Sequence, residues 1–204
     1  MDDLSRTILD RAMNLAAERG WRRTGLVDVA KAAGVPLREL YRRFPTRGAL
    51  LAGIAELADA AVLADETPPD ERESARDRVF DVMMRRFDAL EPYRAGLAAV
   101  IRDLPREPLT ALAFSTAYAR SMAWMLRAAG LDPDAPGGAA LVAGLGAVHV
   151  RVMRTFLKDD TADLARTMAA LDGELRRAES WANTLRRPER NTAGDREPVD
   201  ASAG

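Results

Sequence analysis

The chain has 204 residues, no cysteine, 48% apolar residues, and 30 Lys plus Arg against 31 Asp plus Glu, for a net charge of −1. That composition fits one or two globular domains with a core and excludes disulfide frameworks, thiolate metal clusters and cysteine nucleophiles. Near-neutrality argues against a chain that coats nucleic acid along its whole length, and the acidic opening Met1-Asp2-Asp3 and the shortness of the uncharged stretch 137–150 predict neither secretion nor a membrane span, leaving the cytoplasm as the expected compartment.

Apolar residues recur at three and four rather than at two, and alternating β-branched runs are missing, so the chain reads as all-α. The first helix is expected over 4–19, with Ile8, Leu9, Ala12, Leu15 and Ala16 on one stripe. It stops at Gly20, which tolerates the left-handed conformation past a helix end, and Trp21 is expected to fold back over that end. A second helix over 26–33 stops at Gly34. A third, over 36–44, holds Pro36 in its first turn, where the missing N–H costs nothing, and ends at Pro45. The fourth, over 47–64, leads into the acidic, proline-bearing loop 65–69, a candidate boundary. Body helices are expected over 70–90, 92–103, 108–129, 138–158 and 161–185, without a repeat of fixed period. The division that follows is a helix-turn-helix unit at 1–50, a helical ligand-binding and dimerisation body at 51–187, and a polar tail at 188–204 with too little to bury to be ordered.

Residues 1–50 carry ten Lys/Arg and six Asp/Glu, so a basic segment sits on an acidic body, as expected where one end meets a polyanion and also of ordinary solvated helix faces. Within it, VDVAKAAGVPLRELYRRF (27–44) reads helix, glycine turn, helix: Val29, Ala30, Ala33, Val35, Leu40 and Phe44 can pack two short helices, and Gly34 permits the turn. In a helix-turn-helix the second helix enters the major groove with its first residues toward base edges while basic residues hold phosphates. Arg38, Arg42, Arg43 and Arg47 supply that charge here, Tyr41 offers a hydroxyl to phosphate, and Lys31 lies one short helix away.

The runs ILDRAMNLAAERGW (8–21) and VAKAAGVPLRELYRRFPTRGALL (29–51) resemble the N-terminal DNA-binding domain of TetR-type transcriptional regulators. The resemblance implies a homodimer that places two recognition helices one helical turn apart on a palindrome, with a small apolar effector held in the body. It assigns double-stranded DNA to Thr24, Lys31, Pro36, Leu37, Arg38, Glu39, Tyr41, Arg42, Arg43 and Arg47. The chain departs from the family pattern at Gly25 and Val27, where polar residues usually reach phosphate, and at Pro36-Leu37-Arg38-Glu39, where the family is usually small or polar. Glu39 offers an acceptor to cytosine N4 but repels phosphate.

A second stretch, FLKDDTADLARTMAALDGEL (156–175), is similar to the C-terminal region of lipid-binding accessory proteins of coenzyme Q biosynthesis, through Asp159-Asp160-Thr161, Asp163, Thr167 and Leu171-Asp172. That resemblance implies an alternative: a lipid or isoprenoid carrier on the same fold with DNA binding lost, and the membrane surface as a partner. The same acidic turn is equally a helix cap, with Asp160 or Thr161 capping and Asp163 complementing the dipole.

In the body, His149 lies on an apolar helix with neither a Cys nor a helical Asp or Glu to complete a metal site, so it is read as a buried structural residue or pocket lining. Phe87, Phe114, Tyr118 and His149 are the expected lining of an apolar ligand site, with ordinary core packing as the competing reading. Gly144 and Gly146 with Ala140 and Ala147 make a small-residue face, and Leu141, Leu145, Val148, Val152 and Phe156 an apolar stripe, together the expected share of a dimeric four-helix bundle. The last helix places Leu171, Leu175, Ala178, Trp181 and Leu185 on a stripe flanked by Arg176, Arg177, Arg186 and Arg187, which suits a dimer seam or a membrane-surface helix. No G-x-S-x-G, P-loop or HExxH pattern is present, so neither enzymatic activity nor a cofactor or metal is expected. The sequence thus points to a ligand-responsive repressor that acts as a homodimer.

Overall fold

The computed structural model describes residues 1–186, with 181–186 as backbone only. The expectations for Trp181, Leu185, Arg186, Arg187 and the tail 188–204 therefore lie outside the described side chains and residues. The described chain is all-α, with nine α-helices joined by short turns, three of them 3-10.

Helix α1 (Asp3–Arg19) starts where the Asp2 carboxylate accepts the Ser5 N–H at 2.8 Å; these bonds from Ser5, with one from Arg43, hold its pKa down to about 2. It buries Ile8, Leu9, Ala12, Met13 and Ala16, so Met13 takes the place expected of Leu15. Gly20 ends it at φ 90°, ψ 150°, a conformation available to glycine but outside the left-handed helical region foreseen. Trp21 then folds into the core within a 3-10 turn at Trp21–Arg23. Helix α2 (Leu26–Ala33) ends at Gly34 in the left-handed conformation, φ 68°. Helix α3 (Leu37–Arg43) is shorter than foreseen because Pro36, at ψ 143°, is the residue before the first turn and not part of it.

Helix α4 (Arg47–Leu63) is capped by Thr46 and is one continuous element, so the division foreseen at residue 50 falls inside it. Helix α5 (Ala75–Leu90) begins five residues later than expected: Ser74 accepts the Asp77 N–H at 3.1 Å and donates to its carboxylate at 2.6 Å, a capping pair that the acidic run before it concealed. A 3-10 turn at Glu91–Tyr93 precedes α6 (Arg94–Asp103), and α7 (Pro108–Ala128) and α8 (Gly138–Phe156) follow. Helix α9 (Ala165–Arg186) also starts late. Asp159, buried, accepts the backbone N–H and hydroxyl of both Thr161 and Thr167, and Thr161 Oγ accepts the Ala165 N–H at 2.9 Å. Burial would raise the Asp159 carboxyl, but these hydrogen bonds outweigh it and hold the group well below the usual range. The acidic turn shared with the lipid-binding proteins is thus a helix-entry motif in this structure, with Thr161 as the cap and Asp160 paired to Arg166 at 2.8 Å.

Helix α1 packs along α6, α4 along α7, and α8 along α9, around one continuous core from Ile8 to Leu175. The approach of α1 to α6 requires Gly96, where a Cβ would stand 2.6 Å from the Met13 carbonyl oxygen. By length and composition α8 could cross a bilayer, but it buries Leu145, Val148, Val152 and Phe156 within the chain and carries Arg151 and Arg154.

Candidate nucleic-acid interface

The second helix of the turn motif shows two faces. Leu40 and Phe44 are buried against α1, α2 and α4, while Leu37, Arg38, Tyr41 and Arg42, at a spacing of one, four and five, stand in solvent. Arg38, Tyr41 and, on α2, Lys31 make no hydrogen bond or ion pair among the described residues, and Arg42 makes only a 3.6 Å contact with Glu39. Pro36 is exposed beside them. These side chains form an exposed cationic surface, unpaired but for the Arg42–Glu39 contact, whose aim is set by the packing behind it.

Four of the residues expected on DNA are otherwise engaged. Thr24 is 1% exposed and its hydroxyl donates to the Gly20 carbonyl at 3.0 Å, which closes the turn between α1 and α2. Glu39 accepts from Arg43 at 2.7 Å, and Arg43 also reaches Asp2 at 3.2 Å, so both the acid offered to cytosine and one of the expected cations fasten α3 to the start of α1. Arg47 points inward: it donates to the Trp21 carbonyl at 2.6 Å and to Glu107 at 3.0 Å, and its guanidinium lies 4.6 Å from the Trp21 ring centroid. It is a strut between the head and the start of α7. Charge read along a sequence does not reveal which cations are satisfied internally.

In the body, the four residues expected around a ligand meet. Phe87 stacks on His149 with centroids 5.3 Å apart, Tyr118 lies 5.7 Å from His149, and Phe114 lies 5.6 Å from Tyr118. Tyr118 has one proton, and the Gly146 carbonyl at 3.0 Å can only accept it. Which atom donates in the 2.8 Å contact to His149 Nδ1 is set by the ring tautomer, and Nε2 is buried without a partner. Burial, then the positive charge of Arg86, holds the His149 pKa well below its ordinary value, so the ring is neutral, and burial pushes Tyr118 up. Sequence reasoning missed Arg86 itself, which is 2% exposed and bonded to Asp59, an acceptor shared with Ser121 at 2.7 Å. A signal was present: Val79, Val82, Met83, Arg86, Phe87 and Leu90 form the buried stripe of α5, and an arginine on such a stripe needs a buried partner.

The stripe expected as a dimer seam on α8 needs correction. Leu145, Val148, Val152 and Phe156 are consumed by the chain's own core, and a Cβ on Gly146 would meet the Tyr118 ring at 3.3 Å. The face left open is Ala140, Leu141, Ala143, Gly144, Ala147 and Val150, with free space over Gly144.

A helix-turn-helix with an exposed cationic second helix, seated on an all-helical body, places the chain among all-helical proteins that carry a helix-turn-helix head. Residues 8–54, about a quarter of the chain, match the family model of bacterial regulatory proteins, tetR family. Among solved structures, the fold is similar to that of the TetR transcriptional regulator from Nitrosomonas europaea ATCC 19718, at 21% identity over 88% of this chain and 99% of that one, with a TM-score of 0.66. It is also similar to a TetR transcriptional regulator from Rhodococcus sp. RHA1, at 22% identity over 87% of this chain and 94% of that one, with a TM-score of 0.59. A search of curated proteins found no match. These comparisons extend the first resemblance and give no support to the likeness with coenzyme Q accessory proteins.

Proposed function

We propose that this protein is a transcriptional regulator that binds a palindromic DNA operator as a homodimer in the cytoplasm and releases it when a small, largely apolar molecule enters the body, which makes it a repressor. The observation that carries the reading is the exposed cationic face of α3, Arg38, Tyr41 and Arg42, with Lys31 on α2, on a head matched by the tetR-family model. Phosphates are held by Lys31, Arg42 and the Tyr41 hydroxyl, and bases are read from Leu37 and Arg38. The open apolar face of α8 pairs with its copy in the dimer, since an exposed row of Leu141, Gly144, Ala147 and Val150 gains by burial against the same row.

The effector site is assigned to Phe87, Phe114, Tyr118 and His149, where aromatic rings surround one unpartnered ring nitrogen, His149 Nε2. A ligand releases DNA only through differential affinity for a body shape that misplaces the heads. The route from site to head is short: Asp59, on the helix that begins at the head, is bonded to Arg86, the neighbour of Phe87 in α5.

Selection of bound fragments from a random-sequence DNA pool, followed by sequencing, tests the reading. Enrichment of an inverted repeat with half-sites about one helical turn apart is expected. A bound fraction with the base composition of the starting pool would overturn it.

A further inference from the structure

Three large apolar side chains stand in solvent on the outer face of the head: Val27 is 66% exposed, Leu37 50% and Tyr41 67%. Leu37 and Tyr41, one turn apart on α3, form with Leu26, Leu40 and Arg38 a single notch between the first turn of α2 and the second helix of the motif. Its floor is apolar, Leu40 being fully buried, and the only charged residue lining it is Arg38. Arg42 follows on the exposed face of α3 and Lys31 stands in the last turn of α2, while the two acids of the motif are engaged, Glu39 by Arg43 and Arg42 and Asp28 by Arg19 at 3.1 Å. An apolar notch with the unpaired Arg38 on its lining and the exposed Arg42 next to it fits an anionic partner that carries an apolar group, and charge complementarity selects a nucleic acid over an apolar protein face.

On the floor of the major groove the apolar group is the C5-methyl of thymine. We propose that the notch formed by Leu26, Leu37, Leu40 and Tyr41 seats a thymine methyl in each half-site, and that Arg38 at its rim reads an adjacent guanine through O6 and N7. This rests on the DNA-binding reading and names the bases it requires. The neighbours account for rejection of the alternatives. Leu37 offers no hydrogen bond to adenine N6 or N7, so an adenine there would lose its groove-edge partners. Cytosine N4 would need an acceptor, and the acids of the motif are tied, Glu39 to Arg43 at 2.7 Å and Asp28 to Arg19 at 3.1 Å.

The test uses the full-length protein and the operator recovered from a random pool, with each thymine replaced in turn by deoxyuridine, which removes only the methyl. At one position in each half-site the replacement is expected to weaken binding about fourfold, the worth of one buried methyl group, and about fifteenfold when both half-sites are changed. Leu37→Ala, at a half-exposed position that the core does not use, should bind the thymine and uracil operators equally. Arg38→Ala should keep the thymine discrimination and lose the preference for the neighbouring guanine. An enriched operator in which no thymine is sensitive to the replacement, or a Leu37→Ala protein that discriminates as the original does, would overturn the inference and leave DNA binding standing. A pool with no enriched sequence would overturn both.

Discussion

Replacing Arg47 with alanine separates the role its position suggests from the role its surroundings give it. The side chain is 24% exposed and its partner Glu107 13%, so the pair is screened only in part. One charge-assisted hydrogen bond to Glu107, one hydrogen bond to the Trp21 carbonyl and a guanidinium over the Trp21 ring would be lost together. With about 1.5–3 kcal/mol for the charged bond, near 1 for the neutral one and about 0.5–1 for the ring contact, non-additivity and partial exposure bring the expected loss to about 2–4 kcal/mol. Glu107 would keep only Thr110, at 3.1 Å. For a chain of this size the melting temperature should fall by roughly 5–12 °C, read by circular dichroism or calorimetry. Arg42→Ala, at a side chain 75% exposed, should stay within about 0.5 kcal/mol of the original protein. In DNA titrations well below the melting temperature, Arg47→Ala should keep the salt dependence of the original protein, whereas Arg42→Ala should reduce it. An unchanged melting temperature with a salt slope smaller by about one per subunit would refute the reasoning and return Arg47 to the phosphates.

Three further outcomes are expected. Because the folded-state pKa of His149 is depressed, the unfolded chain binds more protons below about pH 6.5, so stability is fully present above that pH and declines as pH falls; His149→Phe should flatten this limb of a urea-unfolding series against pH, and an identical pH profile would contradict the buried neutral ring. Arg86→Met should cost about 3–5 kcal/mol because it strands Asp59, and the double change Asp59→Leu with Arg86→Met should recover much of that loss; a double mutant as unstable as the sum of the singles would show that the pair is not coupled. Gly96→Ala should lower stability by about 1–3 kcal/mol in chemical denaturation, since the added methyl meets the Met13 carbonyl, while a neutral result would show that α1 and α6 can separate.

Local signals carried the helical frame well. Gly20, Gly34 and Pro45 mark the breaks of the first three helices because backbone conformation acts within a few residues, and α2 spans the expected interval. The starts of α5 and α9 were less legible because Ser74 and Thr161 are caps set inside acidic runs that themselves look like first turns. At the candidate interface the motif was visible, yet the availability of its side chains was not. Thr24, Glu39, Arg43 and Arg47 share their chemistry with Lys31, Arg38, Tyr41 and Arg42, and partners fixed by the fold, Asp2 and Glu107 among them, distinguish the engaged set from the exposed one. The body followed the same pattern: aromatic spacing pointed to Phe87, Tyr118 and His149, but the link from Arg86 to Asp59 joins two helices 27 residues apart.

The proposal that the exposed cationic face of α3 reads DNA is tested most directly by the salt dependence of affinity for the selected operator, measured by fluorescence anisotropy. Lys31 and Arg42 on phosphates from two subunits predict a slope of log affinity against log salt of roughly −3 to −4, with a smaller slope for Arg42→Ala and specific binding well above that to unrelated DNA. A slope near zero, or equal affinity for operator and unrelated sequence, would contradict it.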